Sequence, residues 1–266
     1  MSRLTFAIIL ALALTPLMHA DEWSKTFTIS GKPELRVDTS DADIHVDTWD
    51  QKTIEARVST THWKIGQDGI TILDHQTGDS VAIEIRFPHR HFVFDIGQRR
   101  VDIEIHMPRE GRLNLRTGDG NIRVSNFKGA MDLETSDGTQ EITGGDGTLR
   151  ARSGDGNIQA DGRFDLLELE SGDGRILAHA LPGSTVSSGW DIHTGDGNVT
   201  LQIPENLNAD VDLHTGDGHI TLDLPVTVDG RIGENNIRGK LNAGGNSLRV
   251  HTGDGSIHLE KSAATI

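Results

Sequence analysis

The stretch HTGDGHITLDLP, residues 214–225, places an imidazole, a hydroxyl and a carboxylate beside two glycines, as a catalytic site would. The centre of this motif, Thr/Ser-Gly-Asp-Gly, nevertheless stands six times in the chain, beginning at Thr117, Ser153, Ser171, Thr194, Thr215 and Thr252. An active site is normally built once, whereas a structural unit recurs. The repetition therefore predicts a turn between stacked structural units.

The spacing of the turn aspartates gives the size of the unit. Asp119, Asp137, Asp155 and Asp173 are 18 residues apart, and Asp196, Asp217 and Asp254 follow at intervals of 23, 21 and 37. We interpret IGENNI, residues 232–237, as a degenerate copy inside the last interval. LRVDTSDADIHV, residues 35–46, keeps the same frame without the glycines.

The segments that flank each turn alternate between apolar and polar residues, as in LNLRT before a turn and NIRV after it. A period of two indicates short strands with one buried face, and the frequent glycines exclude helices. The predicted interior comprises Leu113, Leu115, Leu133, Leu149, Leu167, Leu169, Trp190, Ile192, Val211, Leu213, Leu248 and Val250, joined by Ile122, Ile158, Ile176, Val199, Ile220 and Ile257. In TSDGTQEI, residues 135–142, the second strand is displaced by two residues, which predicts a local bulge.

Asp-Gly between two strands also fits a β-hairpin, so the outward residues decide between hairpins and a coil. The position before the turn reads Arg116, Glu134, Arg152 and Glu170 in successive units. Parallel, in-register stacking would place these opposite charges on neighbouring strands about 4.8 Å apart. We therefore favour a coil over a hairpin meander.

The predicted fold is all-β: a single-stranded parallel β-solenoid, or β-helix, with rungs of roughly 18–21 residues. Residues 21–266 form one domain, in which residues 21–110 are wider, irregular opening rungs that cap the core and residues 111–260 are the regular rungs. Residues 1–20 are predicted to be a signal peptide, because Arg3 precedes an apolar run that ends near Ala20.

Composition limits the partners. There is no cysteine, which excludes disulfides and thiolate metal sites. The formal net charge of −15 becomes one unit more negative when Arg3 leaves with the signal. Such a surface repels nucleic acids, which we exclude as partners. No transmembrane segment is predicted after signal removal, so we expect an exported protein, periplasmic, secreted or on the cell surface.

LRVDTSDADIHV, the repeated TGDGNI units and the closing NAGGNSLRVHTGDGSIHLE resemble the bacterial putative-adhesin family of β-strand-repeat proteins. The resemblance covers about residues 30–260. It implies an all-β coil in the cell envelope and brings no catalytic residues.

Two metal-binding alternatives remain open beside the turn interpretation. Calcium is the one cofactor that the sequence suggests, because Asp-rich repeat coils bind it. The aspartate candidates are Asp119, Asp137, Asp155, Asp173, Asp196, Asp217 and Asp254. His193 and His214 stand at equivalent positions and would stack in a coil, where they could share a transition metal. HRH, residues 89–91, is a weaker candidate of the same kind.

No unique pair of carboxylates, no G-x-S-x-G motif, no H-E-x-x-H motif and no phosphate-binding loop stands out in the sequence. We therefore expect no catalytic residues and a non-catalytic envelope scaffold or adhesin-like interaction protein with a protein or glycan partner. A calcium- or glycan-binding adhesion module and a polysaccharide-acting β-helix enzyme are the alternatives.

Overall fold

The computed structural model describes residues 21–66, 69–88, 100–228 and 233–262. These residues form 21 β-strands and no helix. The predicted signal peptide and the HRH segment lie outside them. Within these ranges no helix is long and apolar enough to cross a membrane.

The strands in the first half of the chain are β1 (Glu22–Thr28), β2 (Glu34–Thr39), β3 (Asp43–Trp49), β4 (Thr53–Thr61), β5 (Thr71–Thr77), β6 (Ser80–Arg86), β7 (Arg100–Pro108), β8 (Glu110–Arg116), β9 (Ile122–Ser125) and β10 (Lys128–Thr135). The second half contains β11 (Gln140–Ser153), β12 (Ile158–Ser171), β13 (Ile176–Ala180), β14 (Trp190–Thr194), β15 (Val199–Ile203), β16 (Ala209–Thr215), β17 (Ile220–Asp223), β18 (Thr227–Val228), β19 (Asn236–Leu241), β20 (Ser247–Thr252) and β21 (Ile257–Lys261).

The strands pair into two long faces of one β-solenoid-like sheet. Face A has the order β5-β6-β2-β8-β10-β11-β12-β14-β20-β16-β19-β18. Face B has the order β1-β4-β7-β3-β9-β11-β12-β13-β15-β21-β17. The long strands β11 and β12 belong to both faces, because each bends from face B into face A.

The prediction of a parallel coil is correct for the middle of the molecule and wrong for its ends. Fifteen strand pairs are parallel, and five are antiparallel: β1–β4, β4–β7, β5–β6, β16–β19 and β18–β19. An open parallel stack would expose unpaired strand edges, and antiparallel strands of the same chain cover β6 and β16 on face A and β7 on face B. The prediction of a degenerate rung at residues 232–237 is wrong. β19 begins at Asn236, within this segment, and runs antiparallel to β16.

The rungs do not stack in the order of the sequence. Strands β2 and β3 lie between the rung of β6 and β7 and the rung of β8 and β9. At the other end, β20 and β21 lie between the rung of β14 and β15 and the rung of β16 and β17. The first and last repeats of the chain are thus both enclosed by other rungs.

The alternating pattern places its apolar residues as predicted. All twelve predicted interior residues from Leu113 to Val250 are buried, as are five of the six predicted on the opposite face. Ile220, at the end of face B, is only partly buried. The predicted bulge at residues 135–142 is wrong, because Gln140 pairs in register with Ile122 and Ile158 and occupies an isoleucine position in the core.

Candidate functional site

The hydroxyl of each Thr/Ser-Gly-Asp-Gly turn is buried and holds two rungs together. In one turn Gly174 N donates to Ser171 Oγ at 3.0 Å, and Ser171 Oγ donates to Gly156 O of the preceding rung at 2.9 Å. The turns at Thr135, Thr194, Thr215 and Thr252 repeat both bonds. Each hydroxyl satisfies a backbone donor and a backbone acceptor that are both buried. The repeated hydroxyl is therefore a structural part of the turn.

The second glycine of each turn is required by close stacking and not by a positive φ angle. None of these glycines has a positive φ angle. A Cβ at Gly156 would instead lie 1.9 Å from Gly138 O, and a Cβ at Gly174 would lie 2.1 Å from Gly156 O. Side chains larger than hydrogen are therefore excluded by the backbone of the next rung.

The turn aspartates form a line along one corner. Their stacking order is Asp119, Asp137, Asp155, Asp173, Asp196, Asp254 and Asp217, because β20 lies between β14 and β16. All seven are exposed, and their side chains make no hydrogen bond or ion pair within the described part of the chain. Asp41 extends the line, and partial burial together with the charges of Asp119 and Asp43 raises the pKa of its carboxyl.

The predicted charge column on face A is confirmed. Arg116 Nε lies 3.1 Å from Glu134 Oε2, and Arg152 Nε lies 3.5 Å from Glu170 Oε2. These side chains are about half exposed, so each pair adds a few tenths of a kcal/mol at most. Their contribution is mainly to register, since a slip of one rung brings like charges together.

The predicted contact between His193 and His214 is wrong. His251 lies between them on face A, in register with both. The rings of His214 and His251 approach edge to face with centroids 5.9 Å apart. The interleaved last rung thus separates the two candidate ligands by two strand spacings, which is too far for one metal ion.

A hydrogen-bonded chain of Asp161, His179 and Ser262 ties down the end of the described chain on face B. His179 Nδ1 lies 2.6 Å from Asp161 Oδ2, and His179 Nε2 lies 2.6 Å from Ser262 Oγ. The order matches a serine-hydrolase triad. Ser262 is only 8% exposed, however, and its N–H donates to Ile203 O. The contacts fit a clamp on the last rung better than an accessible nucleophile.

A second polar cluster, Asp223, His258 and Glu260, stands on the outward side of face B. His258 and Glu260 are two residues apart on β21, and Asp223 is opposite Glu260 on β17. His258 Nε2 lies 2.7 Å from Asp223 Oδ2 and 3.6 Å from Glu260 Oε2. One imidazole and two carboxylates converge here with all three donor atoms within 4.8 Å of one another.

The cluster adjoins a cavity at the end of the coil. The cavity has a volume of about 260 Å³, and Asp223 forms part of its wall. Ile203, Leu207, Leu224 and Leu241 contribute apolar side chains to the wall, and Glu205, Asn242 and Lys261 contribute polar ones.

This cluster was not predicted from the sequence. Asp223 and Glu260 occupy equivalent outward positions, each six residues after a turn aspartate, but the degenerate rung expected at residues 232–237 would have separated them by two strand spacings. The usable signal was local: His258 and Glu260 alternate on one strand, so they share a face.

Strand order, buried hydroxyls and stacked corners define an all-β, β-solenoid-like repeat protein. The sequence profile of the Toastrack family, DUF4097, matches residues 102–260, and the chain belongs to this family. The family resemblance inferred from the sequence is confirmed. No curated protein matches the sequence.

Several solved structures are similar to this chain. A putative cell adhesion protein from Clostridium sporogenes is 12% identical, covering 91% of this chain and 100% of that one, with a TM-score of 0.45. A putative adhesin from Bacteroides fragilis is 10% identical over 90% and 97%, with a TM-score of 0.45. A putative lipid binding protein from Parabacteroides distasonis is 12% identical over 91% and 97%, with a TM-score of 0.42.

Proposed function

We propose that this protein is a non-catalytic, exported scaffold or adhesin-like interaction protein of the cell envelope. The observation that carries the proposal is the use of the repeated polar motif. Its hydroxyls and glycines join one rung to the next, which leaves the outward columns of both faces as the variable surface. The proposed working form is a single-stranded parallel coil of roughly 18–21-residue rungs with a less regular N-terminal capping portion.

The partner in this proposal is a protein or a glycan that contacts several rungs at once. Outward positions repeat about every 4.8 Å along a face, so an extended partner can make the same kind of contact on successive strands. Export rests on the predicted signal peptide at residues 1–20.

Photo-crosslinking in the producing cells tests the proposal. A photoreactive amino acid is placed at exposed Glu170 on face A, at exposed Gln159 on face B and at exposed Asp155 on the corner. Buried Leu169, the neighbour of Glu170, is the matched control. We expect the photoreactive residue on one outward surface to crosslink to a single partner. The photoreactive residue at Leu169 should give no crosslinked product. Absence of a crosslink at every outward position, together with cleavage of a polysaccharide by the purified protein, would refute the scaffold role.

A cation-dependent or glycan-binding adhesion module is the second candidate, and the line of unpaired corner carboxylates favours it. Aligned carboxylates repel one another, and bound calcium would relieve that repulsion. Calcium that binds the native state must raise the unfolding midpoint increasingly with its concentration. A rise at micromolar calcium that disappears in the variant Asp155→Asn would favour this candidate over the first.

A further inference from the structure

The carboxylates of Asp223 and Glu260 face each other across two neighbouring strands. The register of β17 and β21 pairs them directly. Like charges at directly opposite positions of a sheet destabilise it. Lys261, the residue after Glu260, pairs with a different carboxylate, because its Nζ lies 2.6 Å from Glu205 Oε2. His258 is therefore the one cationic or metal-binding side chain seen between the two carboxylates among the described residues.

The cluster is held in place by the sheet and by a neighbouring amide. Gln202 Nε2 donates to Glu260 Oε1 at 2.7 Å, which leaves Oε2 as the oxygen nearer to His258. A carboxylate oriented by a second residue is the usual arrangement around metal ligands. The three cluster residues and Gln202 all stand on paired strands. Small rotations about their side-chain bonds therefore suffice to change the distances between donor atoms.

The donor set selects the class of ion. In a tetrahedral zinc site with bonds near 2.1 Å, the donor atoms are about 3.4 Å apart. The distances from His258 Nε2, 2.7 Å to Asp223 and 3.6 Å to Glu260, bracket that value. Imidazole suits zinc and other first-row divalent metals, whereas calcium takes oxygen ligands only.

We propose that Asp223, His258 and Glu260 bind a divalent transition metal ion such as zinc on the outer side of face B. Three protein ligands leave a fourth position, as in metal sites that accept an exchangeable ligand. Asp223 also borders the cavity at the end of the coil, whose wall includes the charged side chains of Glu205 and Lys261. The site is separate from the corner aspartates and from the face A histidines, and it stands or falls independently of the scaffold role.

Calorimetric titration of the chelator-treated protein with zinc chloride tests the site. The wild-type protein is expected to bind one zinc ion per chain, and the variants His258→Ala and Asp223→Asn are expected to bind at least roughly tenfold more weakly. His214→Ala removes an exposed histidine from face A and is the matched control, which should bind like the wild type. Gln202→Ala should weaken binding by about tenfold if the amide orients Glu260.

Thermal unfolding in EDTA separates a metal site from an ordinary ion pair. If the cluster is built for a metal ion, Asp223→Asn removes the repulsion with Glu260 and melts at the same temperature as the wild type or higher. If His258 and Asp223 are only an ion pair, the variant melts lower. Three results would each overturn the proposal. They are a lower unfolding midpoint for Asp223→Asn than for the wild type in EDTA, no zinc binding by the wild type, and zinc binding that is lost in His214→Ala instead of His258→Ala.

Discussion

At the residue scale, position within the turn decides what a residue does. The hydroxyl is buried and makes two backbone hydrogen bonds, the second glycine packs against a carbonyl oxygen, and the aspartate between the glycines points to solvent. The motif looks catalytic because it combines the right functional groups, but its hydroxyl is engaged by the backbone. Net hydrogen-bond energies of about 1 kcal/mol per buried hydroxyl then add up along the corner.

Asp41 and Asp43 give a prediction at the same scale, because the pKa values of their carboxyls shift in opposite directions. Partial burial raises the pKa of Asp43, but hydrogen bonds from the backbone and side-chain N–H groups of Asn121 and the Arg100 charge outweigh this and lower it. Partial burial, Asp119 and Asp43 raise the pKa of Asp41. At pH 7 we therefore expect Asp43→Asn to lower the melting temperature and Asp41→Asn to raise it slightly.

The sign of each effect sets its pH range. A lowered pKa in the folded state stabilises the fold above the ordinary carboxyl pKa, near about 4, and this stabilisation is lost on acidification below it. A carboxyl whose pKa is raised in the folded state, such as that of Asp41, destabilises the fold as the pH rises above the ordinary carboxyl pKa. Melting temperatures measured from pH 3 to pH 7 should hence converge at the acid end. Two variants that behave alike at pH 7 would contradict this account.

At the scale of the strand, the outward column of face A fixes the register. Arg152 lies between Glu134 and Glu170, and it also lies 4.0 Å from Asp132. Arg152→Glu places three carboxylates in a row, whereas Arg152→Gln only removes the attraction. We expect the glutamate variant to be less stable than the glutamine variant by about 1 kcal/mol.

Salt separates this electrostatic effect from packing. Because the side chains are about half exposed, 1 M salt should remove most of the difference between the two variants. Urea unfolding with and without salt measures the difference in the free energy of unfolding between the glutamate and glutamine variants. A difference that persists unchanged at high salt would show that Arg152 acts through packing of its side-chain stem.

At the scale of the whole molecule, the interleaved ends distinguish this coil from a simple stack. The last strands, β20 and β21, are flanked on both sides by other rungs. Unravelling from the C-terminus therefore requires breaking two strand pairings at once on each face. We expect amide hydrogens of β20 to exchange as slowly as those of β14, and those of the short edge strand β18 to exchange much faster. Rapid exchange throughout β20 would indicate a fraying terminal rung and contradict the interleaved order.

The sequence predicted what each rung contains but not the order of the rungs. Alternation identified buried residues such as Leu169, and the charges at Arg152 and Glu170 identified the register, since both depend on local pattern. Rung order could not be predicted because the rungs share one motif, so β20 fits beside β14 or β16 equally well by pattern. The Asp223, His258 and Glu260 cluster was missed for the same reason: it exists only because β21 pairs with β17.

The most direct test of the structural role of the Thr/Ser-Gly-Asp-Gly turns compares two adjacent residues of one turn. A Cβ at Gly156 would lie 1.9 Å from Gly138 O, whereas the neighbouring Asp155 side chain is exposed. Urea unfolding of both variants is the measurement. We expect Gly156→Ala to lose about 4 kcal/mol or more, or to fail to fold, and Asp155→Asn to stay within about 0.5 kcal/mol of the wild type. If Asp155→Asn is as damaging as Gly156→Ala, the aspartate is part of a site and the turn is not simply architecture.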